Sequence, residues 1–129
     1  MTTVTSPSIH DVFNSTFNQH ASLVEAMTYD LMDQFVENYN GGYYENAIGP
    51  DGAFVRFIDD QTKHRVSGTE NYFDGHMTLK DASIGCFLIA VNQLAWVAKD
   101  AKHNDLFYKC RDFALDFADD PSQLISFLD

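Results

Sequence analysis

The first 55 residues contain no lysine or arginine, and the whole chain of 129 residues holds 8 basic residues against 19 acidic ones, a formal net charge of -11. All the bases fall between Arg56 and Arg111. Asp11, Glu25, Asp30, Asp33, Glu37, Glu45 and Asp51 precede them, and Asp112, Asp116, Asp119, Asp120 and Asp129 follow. An acidic surface with so few cations repels phosphates at long range, so direct binding to DNA or RNA is disfavoured and a basic partner is favoured. Cysteine is scarce as well. Cys86 and Cys110 stand far apart inside apolar segments, which reads as two small buried hydrophobes rather than a disulfide or a metal pair.

Sequence signatures of chemistry are also missing. The five histidines, at positions 10, 20, 64, 76 and 103, lie in different predicted elements with no His-x-x-x-His pair, so zinc spacing is absent. There is no Gly-x-Ser-x-Gly elbow, Walker loop or Gly-x-Gly-x-x-Gly fingerprint. Neighbouring carboxylates such as Asp59 with Asp60 point apart and stay solvated instead of forming an acid/base pair. No catalytic, cofactor or metal residue is therefore assigned. The longest apolar-leaning run, residues 82–98, is broken by Ser83, Asn92 and Gln93, short of the ~20 mainly apolar residues of a membrane span. The start of the chain has no basic n-region and no apolar h-region, so a cytoplasmic location is expected.

At 45% hydrophobic content the chain suits one α+β domain. Residues 1–20 read as a partly flexible lead-in, with Ile9, Val12, Phe13 and Phe17 as material for a short docked helix, and residues 21–129 as the domain. Leu23, Met27, Leu31 and Phe35 recur every four residues and predict a first helix over 22–39, with Asp30, Asp33 and Glu37 as an acidic stripe in solvent. Asn40, Gly41 and Gly42 offer the positive-φ stop after it. Strands are expected over 42–48 and 53–58, joined by a hairpin turn at Gly49, Pro50, Asp51 and Gly52. A shorter strand follows near 64–67, then a loop or short fourth strand over 69–76.

Thr78 to Asp81 resembles a capping box and opens a central, mostly buried helix. Residues 99–104 read as a polar connection. Leu106, Phe107, Cys110, Phe113 and Phe117 mark a third helix, and residues 122–128 a short terminal one. The expected architecture is a small antiparallel sheet of three to four strands packed with about four helices, in the order α-β-β-β-α-α-α. Asp112, Asp116 and Asp119 or Asp120 form a second acidic ladder, whose ~6 Å steps dilute any imitation of the ~3.4 Å phosphate spacing along a DNA strand.

Three stretches, "YNGGYYENAIGPDGAF" (39–54), "NYFDGHMTLKDASIGCFLIAVNQLAW" (71–96) and "LFYKCRDFALDF" (106–117), follow one another in an order and spacing that resembles the antirestriction proteins of the ArdB/KlcA type. These are small proteins of plasmids, prophages and integrated elements. The chain departs from their pattern at Tyr44, where Trp is expected, and at Gly75. The resemblance implies a non-enzymatic protein that protects incoming unmodified DNA from cleavage by host type I restriction-modification systems. Its partner is then a type I restriction complex or a host factor needed for restriction, with the oligomeric state open. Candidate partner-binding residues are Tyr43 or Tyr44, which must point to opposite faces of a strand, with Asn71, Tyr72, Arg111, Asp112, Asp116 and Asp120. The alternatives are an acidic DNA mimic competing for a DNA-binding channel and a small hydrolase, the latter needing a polar pocket around one histidine.

Overall fold

In a computed structural model that describes residues 3–5, 21–69, 71–98 and 101–129, helix α1 spans Ala21–Phe35. Its buried line is Val24, Thr28, Met32 and Phe35, whereas Leu23 is 42% exposed and Met27 and Leu31 are only partly buried. The apolar face is thus turned by one residue from the expected one. Thr28 makes this workable by donating its hydroxyl to the Val24 carbonyl at 2.8 Å, which satisfies a polar group inside the packed stripe.

The helix ends at Phe35 and not at 39, because non-local pairing replaces its last turn. Val36 bridges Val66, the Glu37 N–H donates to the Arg65 carbonyl at 2.9 Å, and the Ser67 N–H donates to the Phe35 carbonyl at 3.1 Å. Asn38 then takes a left-handed φ of 61°, which Asn tolerates better than most side chains. The expected Asn40-Gly41-Gly42 stop is therefore divided among neighbours. Gly41 has a φ of 86°, while a Cβ on Gly42 would sit 2.9 Å from the Ile58 side chain, so that glycine serves close packing.

Strands β2 (Tyr44–Ile48) and β3 (Phe54–Ile58) pair antiparallel, with Tyr44 opposite Ile58 and Ile48 opposite Phe54. The turn between them is a single 3-10 turn, Pro50–Gly52, in which Asp51 and Gly52 have φ of 58° and 80°. Strand β1, Thr3–Thr5, lies along the other side of β2, within the stretch read as a lead-in. The rest of that stretch, including the suggested helix near Ile9 and Phe17, lies outside the described residues. Strands β4 (Lys63–Val66) and β5 (Gly75–Thr78) form a second, two-stranded antiparallel sheet. The described residues thus hold two small sheets, not the one expected. The division follows from the chain after β3, where the Lys80 and Leu79 N–H groups donate to the carbonyls of Asp60 and Thr62, each at 2.9 Å. These bonds tie the connection to the next helix instead of extending the first sheet.

Helix α2 (Leu79–Ala98) is buried on every side from Asp81 to Leu88. Thr78 caps it, its Oγ1 accepting the Asp81 N–H at 3.1 Å. Helix α3 (Ala101–Phe117) begins earlier than expected, so residues 101–104 are helical and not a connection. Helix α4 (Pro121–Leu128) starts with Asp120 as N-cap, accepting the Gln123 N–H at 3.2 Å, and Pro121 in the first turn.

The wholly buried β3 stands at the centre of the core. Phe54 meets Phe87 of α2 with ring centroids 5.7 Å apart, and Phe57 meets Phe117 of α3 at 4.9 Å. Phe127 of α4 closes the far side between Phe35 and Phe73, at 6.2 and 5.6 Å. Each of the fully buried rings, Phe54, Phe57, Phe87 and Phe127, contributes about 1.5–3 kcal/mol by burial alone.

Candidate functional site

One polar cluster lies between α1 and the first sheet. Arg56 of β3 is 4% exposed; it donates to the Tyr29 hydroxyl at 2.8 Å and to Glu25 at 3.4 Å, and lies 5.2 Å from the centre of the Tyr44 ring. The Tyr44 and Tyr39 hydroxyls are 3.0 Å apart. Burial pushes the Tyr44 and Tyr29 phenols above their ordinary values, so both stay neutral hydrogen-bonding groups. Beside them Asn46 is fully buried, and its amide has no hydrogen-bond partner among the described residues. The cluster locks α1 onto β3, and Tyr44 belongs to it and not to the surface. Tyr43 points the other way and is 68% exposed, as alternation requires.

Asn71 and Tyr72 part company in the same manner. The Asn71 amide donates to the Ser126 and Phe127 carbonyls at 3.3 and 3.2 Å, which satisfies the open end of α4. Tyr72 is 91% exposed on a backbone with φ of 62°. The acids of the second ladder also divide. Asp112 and Asp116 are exposed on α3, whereas Asp120 caps α4 and Asp119 accepts from Thr78 at 2.9 Å and pairs with Lys80 at 3.4 Å. All four are exposed, but Asp119 and Asp120 are tied to the starts of α2 and α4, so the ladder is not a row of equivalent charges.

Nothing in these placements gathers the expected residues into one site. Arg111 alone lies in a groove, an open depression of about 610 Å³ where α2, α3 and the end of α4 meet. Trp96 and Tyr108 stand on its rim, 77% and 56% exposed, over Ile89, Phe107 and Leu128. Arg111 reaches Asp129 across it at 3.4 Å. The sequence places Trp96 in the central, mostly buried helix and singles out neither it nor Tyr108. The available signal was the polar pair Asn92-Gln93 one turn before Trp96, which marks that side of α2 as facing water.

Groups with chemical potential elsewhere are engaged structurally. Burial raises the Cys86 thiol, and raises Cys110 to about 11, far from a thiolate at neutral pH. Among the described residues, no group of three or more His, Cys, Asp or Glu is placed to hold a metal ion, and no helix is long and apolar enough to cross a membrane.

No family model matches the chain. A curated relative, YubI of Escherichia coli (strain K12), a protein that carries an antirestriction name, is 30% identical over 93 residues, covering 70% of this chain and 65% of YubI. The chain thus spans just under two thirds of that relative's length. A solved structure of the KlcA and ArdB proteins superposes with a TM-score of 0.83 at 24% identity, covering 99% of this chain and 95% of that one. That structure is described as a novel fold, with antirestriction activity against Type I DNA restriction systems in vivo but not in vitro. The fold is that of KlcA and ArdB, and sequence and fold together support the antirestriction family of the ArdB/KlcA type.

Proposed function

We propose that this protein relieves type I restriction, so that incoming unmodified DNA of a mobile element survives, and that it does so as a non-catalytic binder of a protein. The observation that carries the reading is the superposition on KlcA and ArdB over 99% of the chain. Activity of those proteins in cells but not in vitro supports a partner beyond the restriction enzyme itself, a host factor needed for restriction. The engagement of Asp81 and Asp120 at the start of α4, of Asp119 with Thr78 and Lys80, and of both cysteines in the core supports a binder rather than a hydrolase.

The test is the plating efficiency of unmodified phage on cells with an active type I system, with and without the protein, beside a restriction-deficient strain. A rise of several orders of magnitude confined to the restricting strain is expected. Equal plating with soluble, folded protein in the cells would sink the reading.

A further inference from the structure

We infer that the groove between α2, α3 and α4 is a docking site, and that its occupant is a cationic, arginine- or lysine-bearing segment of a partner protein. The partner's identity rests on the inhibitor reading above; the chemistry of the groove does not.

Two aromatic side chains this exposed on one groove are costly in water and are the residue types that anchor interfaces. Trp96 and Tyr108 present their rings above an apolar floor of Ile89 and Phe107. Their charged surroundings select the occupant. Asp105, Tyr108, Asp112 and Asp116 are spaced by three and four residues, so they line one face of α3. Among the described residues the two bases nearby are already held, Lys109 by Asp105 at 3.5 Å and Arg111 by Asp129 at 3.4 Å. Asp112 and Asp116 form no ion pair among the described residues. An acidic ridge thus runs beside two open π faces.

A guanidinium stacks on such faces while reaching a carboxylate, and its methylene stem covers apolar floor. The same protein already makes this kind of contact inside, with Arg56 5.2 Å from the Tyr44 ring centre and Lys80 4.2 Å from that of Phe117. Single-stranded nucleic acid also stacks on aromatics, but its phosphates would meet the ridge of Asp112 and Asp116.

Trp96 is the sole tryptophan, so its fluorescence reports on the groove alone. The full chain is titrated with a capped peptide carrying two arginines around a leucine, with the same peptide bearing glutamates, and with an oligothymidine. A saturable shift with the arginine peptide only, weaker at higher salt and reduced roughly threefold to fivefold by Tyr108→Ala or by Asp112→Asn with Asp116→Asn, is expected. No shift with the arginine peptide, an equal shift with the glutamate peptide, or a shift with oligothymidine alone overturns the inference. Trp96→Ala, checked for folding by circular dichroism, is then compared with the unaltered protein in the plating assay. If the unaltered protein relieves restriction and Trp96→Ala matches it, the groove inference falls and the inhibitor reading stands. If the unaltered protein gives no relief, the inhibitor reading falls and the fluorescence titration decides the groove.

Discussion

The carboxylate of Asp81, one turn into α2, accepts the backbone N–H of Asp120 at 2.8 Å, at the point where α4 begins. Its other oxygen accepts the Asp119 N–H at 2.9 Å. In a capping box the third residue reaches back to its own cap; here it reaches across to the chain entering the last helix and holds two part-buried donors. Asp81→Ala leaves both donors unmet and should cost about 2–4 kcal/mol, since hydrogen bonds to a charged group contribute ~1.5–3 kcal/mol each and are not additive. Urea unfolding measures it; a loss under 1 kcal/mol would mean that water replaces the carboxylate, since an unmet buried donor costs at least about that much.

The same carboxylate sets a pH dependence. Burial raises the Asp81 pKa above the ordinary carboxylate value, more than the two N–H donors lower it. The folded chain then holds this proton more tightly than the unfolded chain. Its contribution to stability is greatest below the unfolded value, near ~4, and declines as pH rises through the folded value. Asp60 and Asp74, whose pKa values are lowered by the Thr62 backbone N–H and by Arg65 respectively, act in the opposite sense and lose their contributions as pH falls. Asp81→Asn removes only the first effect. Its melting temperature should trail the unaltered protein most at low pH and close the gap as pH rises; a gap that widens instead would contradict the assignment.

Helical spacing alone treats Asp112, Asp116 and Asp120 as one ladder, yet their environments separate them. Asp120→Ala removes the α4 cap and should cost about 1 kcal/mol. Asp112→Ala takes one charge from an exposed repulsive pair and should change stability by no more than about 0.5 kcal/mol, in the stabilising direction. Thermal unfolding of the two variants side by side distinguishes a ladder of equals from this division.

These acids illustrate what the sequence could and could not reveal. The hairpin at Pro50, the cap at Thr78 and the long buried helix were legible because turn chemistry and apolar periodicity are local. The end of α1 was not, because Val36 leaves the helix to meet Val66, a partner far along the chain. The same holds for the second sheet, which is separated from the first by backbone bonds between the Asp60–Thr62 turn and the start of α2. The groove brings Trp96 to Tyr108 and Leu128 from three helices, and Trp96 had the composition of core. Only Arg111 among the expected site residues falls there.

At Gly85 two effects of substitution oppose one another. Within a helix, Gly→Ala ordinarily gains ~1 kcal/mol. Here a Cβ would run into the Phe127 ring, which packs directly over the glycine, and overpacking costs ~1–3 kcal/mol. The steric term should win, leaving Gly85→Ala less stable by about 1–2 kcal/mol. Adding Phe127→Leu should make the double variant more stable than the sum of the single losses, because the two changes share one space. Strict additivity in chemical denaturation would rule out this contact.

Glu25 and Arg56 are unequal partners. The guanidinium is buried while the Glu25 side chain is 28% exposed, so removing the carboxylate leaves the less hydrated charge behind. Arg56 keeps its bond to Tyr29 and its aromatic neighbours, which limits the damage. Glu25→Gln should cost about 1–2 kcal/mol, and the loss should persist at 0.5 M salt, unlike that of a surface pair. A loss that salt erases would place the pair effectively in solvent.

Tyr72 tests strain with little change in burial, because its ring is almost wholly in water. The Tyr72 N–H donates to the Thr69 carbonyl at 3.1 Å, and the Phe73 N–H to Thr69 Oγ1 at 2.9 Å, which holds the residue in the left-handed region. For a residue with a Cβ that conformation costs roughly 1–2 kcal/mol. Tyr72→Gly removes the strain but loosens the unfolded chain by ~0.4–1 kcal/mol, so a net gain of up to about 1 kcal/mol is expected. Tyr72→Val, β-branched at the same φ, should fall below the unaltered protein by about 1 kcal/mol. If the two variants unfold at the same denaturant concentration, the backbone at this position carries no strain, and the exposed tyrosine needs no functional reason to be kept there.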